Sequence, residues 1–197
     1  MPDNQAQQLE AVFYRWWATL HDPENDGLRA DRATLARLRR LDLVDHGQGP
    51  EPDLMAALLI DAFHDLRRRI GEVLPAPRTP QEMEERERDL FIVAATLARV
   101  RKMDRGHSST AHALGGAKEP DRVMTEKRFL RLMRSETAAD LFDQSRRLTA
   151  LLKQTAPVGE LARSLFFWRH MPSVRRAWAR AYYHLDQSPD ETAAAGV

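Results

Sequence analysis

At 197 residues, 43% hydrophobic and 30% charged, the chain is long enough for one large domain or two small ones with a real core. No eighteen-residue apolar run is present, which excludes a membrane-spanning helix, and the absence of cysteine excludes disulfides and thiolate metal sites. The 30 basic and 29 acidic residues nearly cancel in total but are unevenly placed: Arg99 to Arg180 holds 18 Lys and Arg against 8 Asp and Glu, leaving 12 against 21 elsewhere.

A basic C-terminal half built on aromatic-anchored helices is the footprint of a surface that holds a phosphate backbone. Of the 30 basic residues 26 are arginine, which suits bidentate phosphate contact, but a GC-rich genome gives the same bias. Met1 to Gln5 is polar and lacks the basic and apolar regions of a secretory signal. A reducing cytoplasm is the expected compartment.

In chain order, Leu9, Val12, Phe13, Trp16 and Leu20 fall on one face of a helix over Gln5 to Leu20, with Trp17 beside the stripe. The turn from Asp22 to Gly27 ends it, and Asp31 caps a second helix that turns Leu35, Leu38 and Leu41 inward. After the loop His46 to Pro52, Asp53 opens a third helix whose stripe runs from Leu54 to Ile70. Thr79, Pro80 and Glu82 then spell a capping box for a fourth helix, running to about Met103 through Leu90, Phe91, Ala94, Leu97, Ala98 and Val100.

Asp104 to Asp121 reads as loop, with one short helical turn at Ser109 to Leu114 closed by Gly115 and Gly116. Helices are then expected over Val123 to Arg134, Thr137 to Gln154, Gly159 to Arg169 and Ser173 to Leu185. Nothing alternates as a strand does. The expected architecture is all-α, two helical bundles of roughly eight to nine helices with no sheet. It divides into an N-terminal bundle (1–105), a connecting loop (106–121), a C-terminal bundle (122–186) and a flexible tail (187–197).

The acidic run Glu82, Glu84, Glu85, Glu87 and Asp89 opens a helix, where it complements the macrodipole and pairs with Arg86 and Arg88; no histidine completes a metal set. His107 and His112 bracket a serine-rich loop at a spacing that matches no zinc signature. No metal or cofactor is expected. That loop's hydroxyls and backbone amides, followed by Lys118, offer phosphate contacts instead. G-x-S-x-G, Walker and H-E-x-x-H motifs are all absent, so no catalytic residue is expected.

The sharper reading rests on arginine: the pairs Arg146-Arg147 and Arg175-Arg176, and the looser set Lys127, Arg128, Arg131 and Arg134. Any one pair can simply solvate a helix; several with little nearby acid give useful affinity through counterion release. Arg39 and Arg40 join them only if the second helix packs beside the same face. Trp16, Trp168 and Trp178 lie on apolar stripes and read as core, with Trp17 more open to a stacking role.

Several segments together resemble a known family. They are Trp16-Trp17-x-x-Leu20, Leu35-Ala36-x-Leu38-Arg39-Arg40, Arg128-Phe129-Leu130-x-Leu132-Met133, Ala139-Asp140-Leu141 before Arg146-Arg147-Leu148, Leu161-Ala162-x-x-Leu165-x-x-Trp168, and Val174-Arg175-x-x-Trp178 before Tyr182-Tyr183. In order and spacing the chain resembles the small (CasB-type) subunit of the type I-E CRISPR surveillance complex, Cascade. Val158-Gly159-Glu160 departs from the family by standing where a tryptophan is usual.

The resemblance implies a non-enzymatic, two-bundle helical protein, present as two copies along subunits that hold the CRISPR RNA, in contact with the large subunit and the target DNA. Its basic surface is expected to stabilise the R-loop, notably the displaced strand. The family's basic positions fall on Arg39, Arg40, Arg101, Lys102, Arg146, Arg147, Arg169, and Arg175 or Arg176. One rival is a free-standing helix-turn-helix regulator with Leu161 to Arg180 as its only candidate motif. Another is a helical adaptor that binds protein alone.

Overall fold

The computed structural model describes residues 3–21, 32–107, 109–116 and 119–185. Among them are ten α-helices: α1 (Asp3–His21), α2 (Arg32–Arg39), α3 (Leu54–Leu58), α4 (Asp61–Gly71), α5 (Pro80–Leu97), α6 (Thr110–Leu114), α7 (Glu126–Met133), α8 (Ala138–Leu151), α9 (Val158–Phe167) and α10 (Pro172–Tyr182). The expected cap at Asp31 and the tail 187–197 lie outside the described residues.

α5 is the axis of the fold. Its first turns are solvent-facing and acidic, and Thr79 Oγ1 accepts from the Glu82 N–H at 3.1 Å, as the capping box predicts. From Asp89 to Leu97 every residue is buried, because α4, α8 and α9 pack around it. Phe91 meets Phe142 of α8 at 5.4 Å between ring centroids, and Thr96 donates to Ser145 of α8 at 2.9 Å. Replacing Phe91 by alanine would cost about 3–5 kcal/mol.

α1 lies along α9 and α4, where Trp16 Nε1 donates to the Ala62 carbonyl at 2.8 Å. Trp17 is buried as well and donates to the Val100 carbonyl at 2.8 Å, so it is a core residue and not a stacking platform. Buried side chains form one continuous cluster from Leu9 to Tyr182, shared by the segments expected as two bundles.

The structure corrects the expected outline in three places. The third helix is broken: Ile60 adopts an extended conformation (φ −116°, ψ 115°) between α3 and α4. The break is satisfied from outside the helix, since Arg37 donates to the Leu59 carbonyl and the His64 ring bonds the Leu58 carbonyl at 2.7 Å. The fourth helix stops at Leu97, short of Met103.

The absence of any sheet is the third correction. β1 (Leu43–Asp45) pairs antiparallel with β2 (Pro50–Pro52), and β3 (Lys102–Met103) pairs in parallel with β4 (Thr155–Ala156). Strands of two or three residues are too short to show alternation in sequence. The hairpin turn works because Gly47 and Gly49 take φ of 90° and 102°, while Asp45 Oδ1 accepts from both of their N–H groups. At the other pair, Lys153 and Gln154 hold left-handed φ of 51° and 63°, turning the chain sharply after α8. The cost, about 1–2 kcal/mol per residue, is offset where the Gln154 carbonyl accepts from both Arg101 and Lys102 N–H groups.

Candidate nucleic-acid interface

α7 is short and strongly two-faced. Phe129 and Leu132 point into the core, where Phe129 stacks on Tyr182 with centroids 3.8 Å apart. That fixes Arg128, Arg131 and Arg134, spaced by three, on the exposed side. α8 runs beside α7, and Arg128, Arg131, Arg147 and Gln144 line an open groove of about 500 Å³ floored by Met124, Ala150 and Leu151. Among the described residues no carboxylate lines it. Arg131 and Gln144 also border an adjoining hollow of about 620 Å³ that adds Lys127 and Arg134 but includes Glu126 and Asp140. Arg128 and Arg147 are exposed, with no hydrogen-bond or ion-pair partner for either side chain among the described residues.

Arg146, one residue along α8 and so about 100° around it, faces a second basic set. The β3–β4 pairing holds Arg101 and Lys102 against the turn after α8, beside exposed Lys153. Arg39 Nε donates to the Ala98 carbonyl at 2.7 Å, and Arg99 donates to the carbonyls of Ala95 and Arg39. These guanidinium groups cap the ends of α2 and α5 while clustering positive charge. Burial, with the charges of Arg146 and Arg39 adding to it, pulls Arg99 down to about 10 even though Asp42 acts the other way. Burial and Arg101 likewise lower Arg39. Asp42 reaches Arg146 at 3.1 Å. Arg40 is exposed beside this set, its side chain without a partner among the described residues.

The structure therefore brings together Arg128 with Arg147, and Arg39 with Arg101 and Arg146. It leaves Arg175 and Arg176 apart on α10, which packs against α6, and neither lines the two hollows. Lys118 lies outside the described residues. Arg131 enters the groove as a full member, where its sequence placed it only in a looser set by its three-residue spacing from Arg128. Arg99 and Lys153 are further basic groups of the second set, and their signal exists only in the tertiary structure.

Arg169 is not part of this surface. Only 11% of its side chain is exposed, and it bonds Asp89 at 2.9 Å and Glu85 at 2.7 Å. Burial opposes the Arg169 charge, but Asp89 and Glu85 outweigh it and hold the guanidinium more firmly protonated than usual. Part of the serine-rich loop is engaged within the chain. Ser109 caps α6, and Thr110 gives both its N–H and its hydroxyl to Glu160, at 2.8 and 2.7 Å. Those donors are occupied by a carboxylate of the chain itself, so they do not meet phosphates.

Among the described residues no group of three or more His, Asp or Glu is placed to hold a metal ion, and no helix is long and apolar enough to cross a membrane. In the α9–α10 pair, α9 is buried between α1 and α5, while α10 turns Val174, Trp178 and Tyr182 inward and leaves Arg176 and Arg180 exposed.

Residues 34–183, from α2 to the end of α10, match the family model for CRISPR-associated protein Cse2. The chain belongs to the Cse2 family. No curated protein and no solved structure matches it. Cse2 proteins are the small subunit of the type I-E Cascade complex, so this chain is a structural subunit of a CRISPR assembly. The matched span contains every basic residue of the groove and of the second set.

Proposed function

We propose that this Cse2 chain stabilises the R-loop by gripping the phosphates of a nucleic-acid strand, the displaced strand of the target above all, along α7 and α8. The observation that carries the reading is the groove of Arg128, Arg131 and Arg147, open to solvent and lined by no carboxylate among the described residues. R-loop formation nearly balances one duplex against another, so a few sequence-independent phosphate contacts are enough to tip it. Rigid helices presenting spread arginines supply such contacts without reading bases. Arg101, Lys102 and Lys153 extend the basic track past the C-terminal end of α8, with Arg40 and Arg146 on its α2 side.

Other parts of the surface suit protein neighbours. The first turns of α5 are acidic, and Met55 of α3 and Leu59 just after it are 70% and 69% exposed. In this reading those surfaces face the Cascade subunits that hold the CRISPR RNA, the large subunit, or a second copy of the chain.

The test is reconstitution. Complex assembled with the CRISPR RNA and the other subunits should open a target duplex, read as permanganate reactivity of displaced thymines. With the double variant Arg128→Ala, Arg147→Ala, assembly should persist while that reactivity falls at moderate salt. Unchanged reactivity across a salt series would remove the proposal.

A further inference from the structure

Asp42 is a carboxylate standing among cations. It follows α2 just ahead of β1, is well exposed, and reaches Arg146 Nη1 at 3.1 Å with the same oxygen that accepts the Leu43 N–H at 3.0 Å. Arg146 and Arg99 stand within reach of it, and behind Arg99 come Arg39 and then Arg101. Arg39 and Arg99 are each committed to backbone carbonyls, so their charges are fixed in place and cannot swing away from one another. Among the described residues, four guanidinium groups with a single carboxylate leave the set short of negative charge. Burial and like charge already work against the Arg99 cation, and among those residues Asp42 relieves it.

We infer that Asp42 is a built-in stand-in for a nucleic-acid phosphate: it occupies Arg146 in the free chain and gives way to a strand phosphate that takes Arg146 beside the fixed charge of Arg99. This rests on the proposed function and deepens it, by naming a second phosphate position on the α2 side of α8 and the residue that weakens it. The exposure of both partners makes the exchange easy, since a solvated ion pair holds by about 1 kcal/mol or less, under tenfold. A strand phosphodiester shares its one negative charge over two non-bridging oxygens, so one can meet Arg146 while the other faces a second guanidinium, where the Asp42 carboxylate reaches one. The expected behaviour is a loss of binding strength built into the wild-type sequence, one that keeps the strand releasable.

The test measures fluorescence anisotropy of a labelled single-stranded oligodeoxynucleotide against the full chain, over a salt series. Asp42→Asn keeps the acceptor for the Leu43 N–H and removes only the charge. It should tighten binding about fivefold at low salt, the effect of one unit charge about 4 Å away in water. The log–log salt slope should steepen by about 0.7, one further phosphate contact on a single strand. Glu72→Gln is the matched control, because Glu72 also pairs with an exposed arginine, Arg68, at the far end of α4. It should change affinity less than twofold.

In the double variant Asp42→Asn, Arg146→Gln the gain should vanish, which a mere rise in net charge would not do. If Asp42→Asn matches Glu72→Gln while the parent chain binds, the stand-in is wrong and the groove reading survives. If the gain persists without Arg146, the effect is general charge and the inference falls. A parent chain that fails to bind at low salt removes the inference and the proposed function together.

Discussion

Two arginines in this molecule carry the same charge and do opposite work. Arg169 follows α9, enclosed by Asp89 and Glu85 with His170 on the far oxygen of Asp89 at 2.7 Å. Arg147 stands on α8 with no carboxylate paired to it among the described residues and solvent in front of it. The first is a structural clamp between α5 and α9, whose charge is consumed inside the protein. The second is available. Membership in a set of basic residues therefore says little about function until the counter-charge of each one is located, and the acidic face of α5 is what decides it here. Arg67, Arg88 and Arg169 all pair with carboxylates of α5, whereas the groove arginines pair with none.

The clamp should show the largest effect on stability. Arg169→Met leaves Asp89, only 2% exposed, with His170 as its single partner. Removing one member of a buried pair costs about 3–5 kcal/mol, or a fall of roughly 6–20 °C in Tm for a chain of this size. Thermal unfolding followed by circular dichroism measures it. A melting temperature within 2–3 °C of the parent, together with weakened DNA binding, would put Arg169 back on the binding surface and break the comparison.

The open side should give the reverse pattern. Arg128→Ala with Arg147→Ala should weaken binding of a single-stranded oligonucleotide about tenfold at low salt. The log–log salt slope should become shallower by roughly 1.4, because two fewer phosphates are neutralised. Stability should stay within about 0.5 kcal/mol, since neither side chain has a partner to lose. Replacing both arginines by lysine instead should restore most of the affinity if the contacts are charge alone, and less if they are bidentate.

Much of this fold was legible because helices announce themselves. The Thr79 capping box, the Leu–Phe stripes and the glycine pair closing α6 each appear where the sequence puts them. Gly115 could also be anticipated as a helix end, but its real constraint was invisible: a Cβ there would sit 2.2 Å from the Tyr182 carbonyl oxygen of α10. The strand pairs are hidden for the same reason, because a two-residue parallel pair is set by the turn at Lys153 and Gln154 and by what α5 brings beside it. At the site, Arg128 and Arg147 can be picked by charge and their shared groove cannot. Arg169 misleads because local sequence shows no acid near it. Its partners are about eighty residues earlier, in a run that the helix macrodipole explains well enough on its own.

The smallest effect sharpens the clamp instead of testing its existence. His170 is raised above its ordinary value, first by its hydrogen bond to Asp89 and also by the Asp89 charge, against burial and the nearby Arg169. A raised folded-state value means that the folded chain holds the proton more tightly than the unfolded one. The stabilisation is therefore full below about pH 6.5, the unfolded value, and is lost as pH rises through the higher folded value. His170 is 46% exposed, so after solvent screening the effect is below about 1 kcal/mol. His21 has the opposite sign: burial lowers it, so the folded chain favours its neutral form, and that contribution is lost as pH falls below about 6.5. Comparing His170→Gln with the parent cancels His21 and isolates the first effect. The parent should lose slightly more stability than the variant between about pH 6 and pH 8. Parallel pH profiles would mean that the imidazole only hydrogen-bonds Asp89, and that Arg169 and its carboxylates hold the clamp without a second cation.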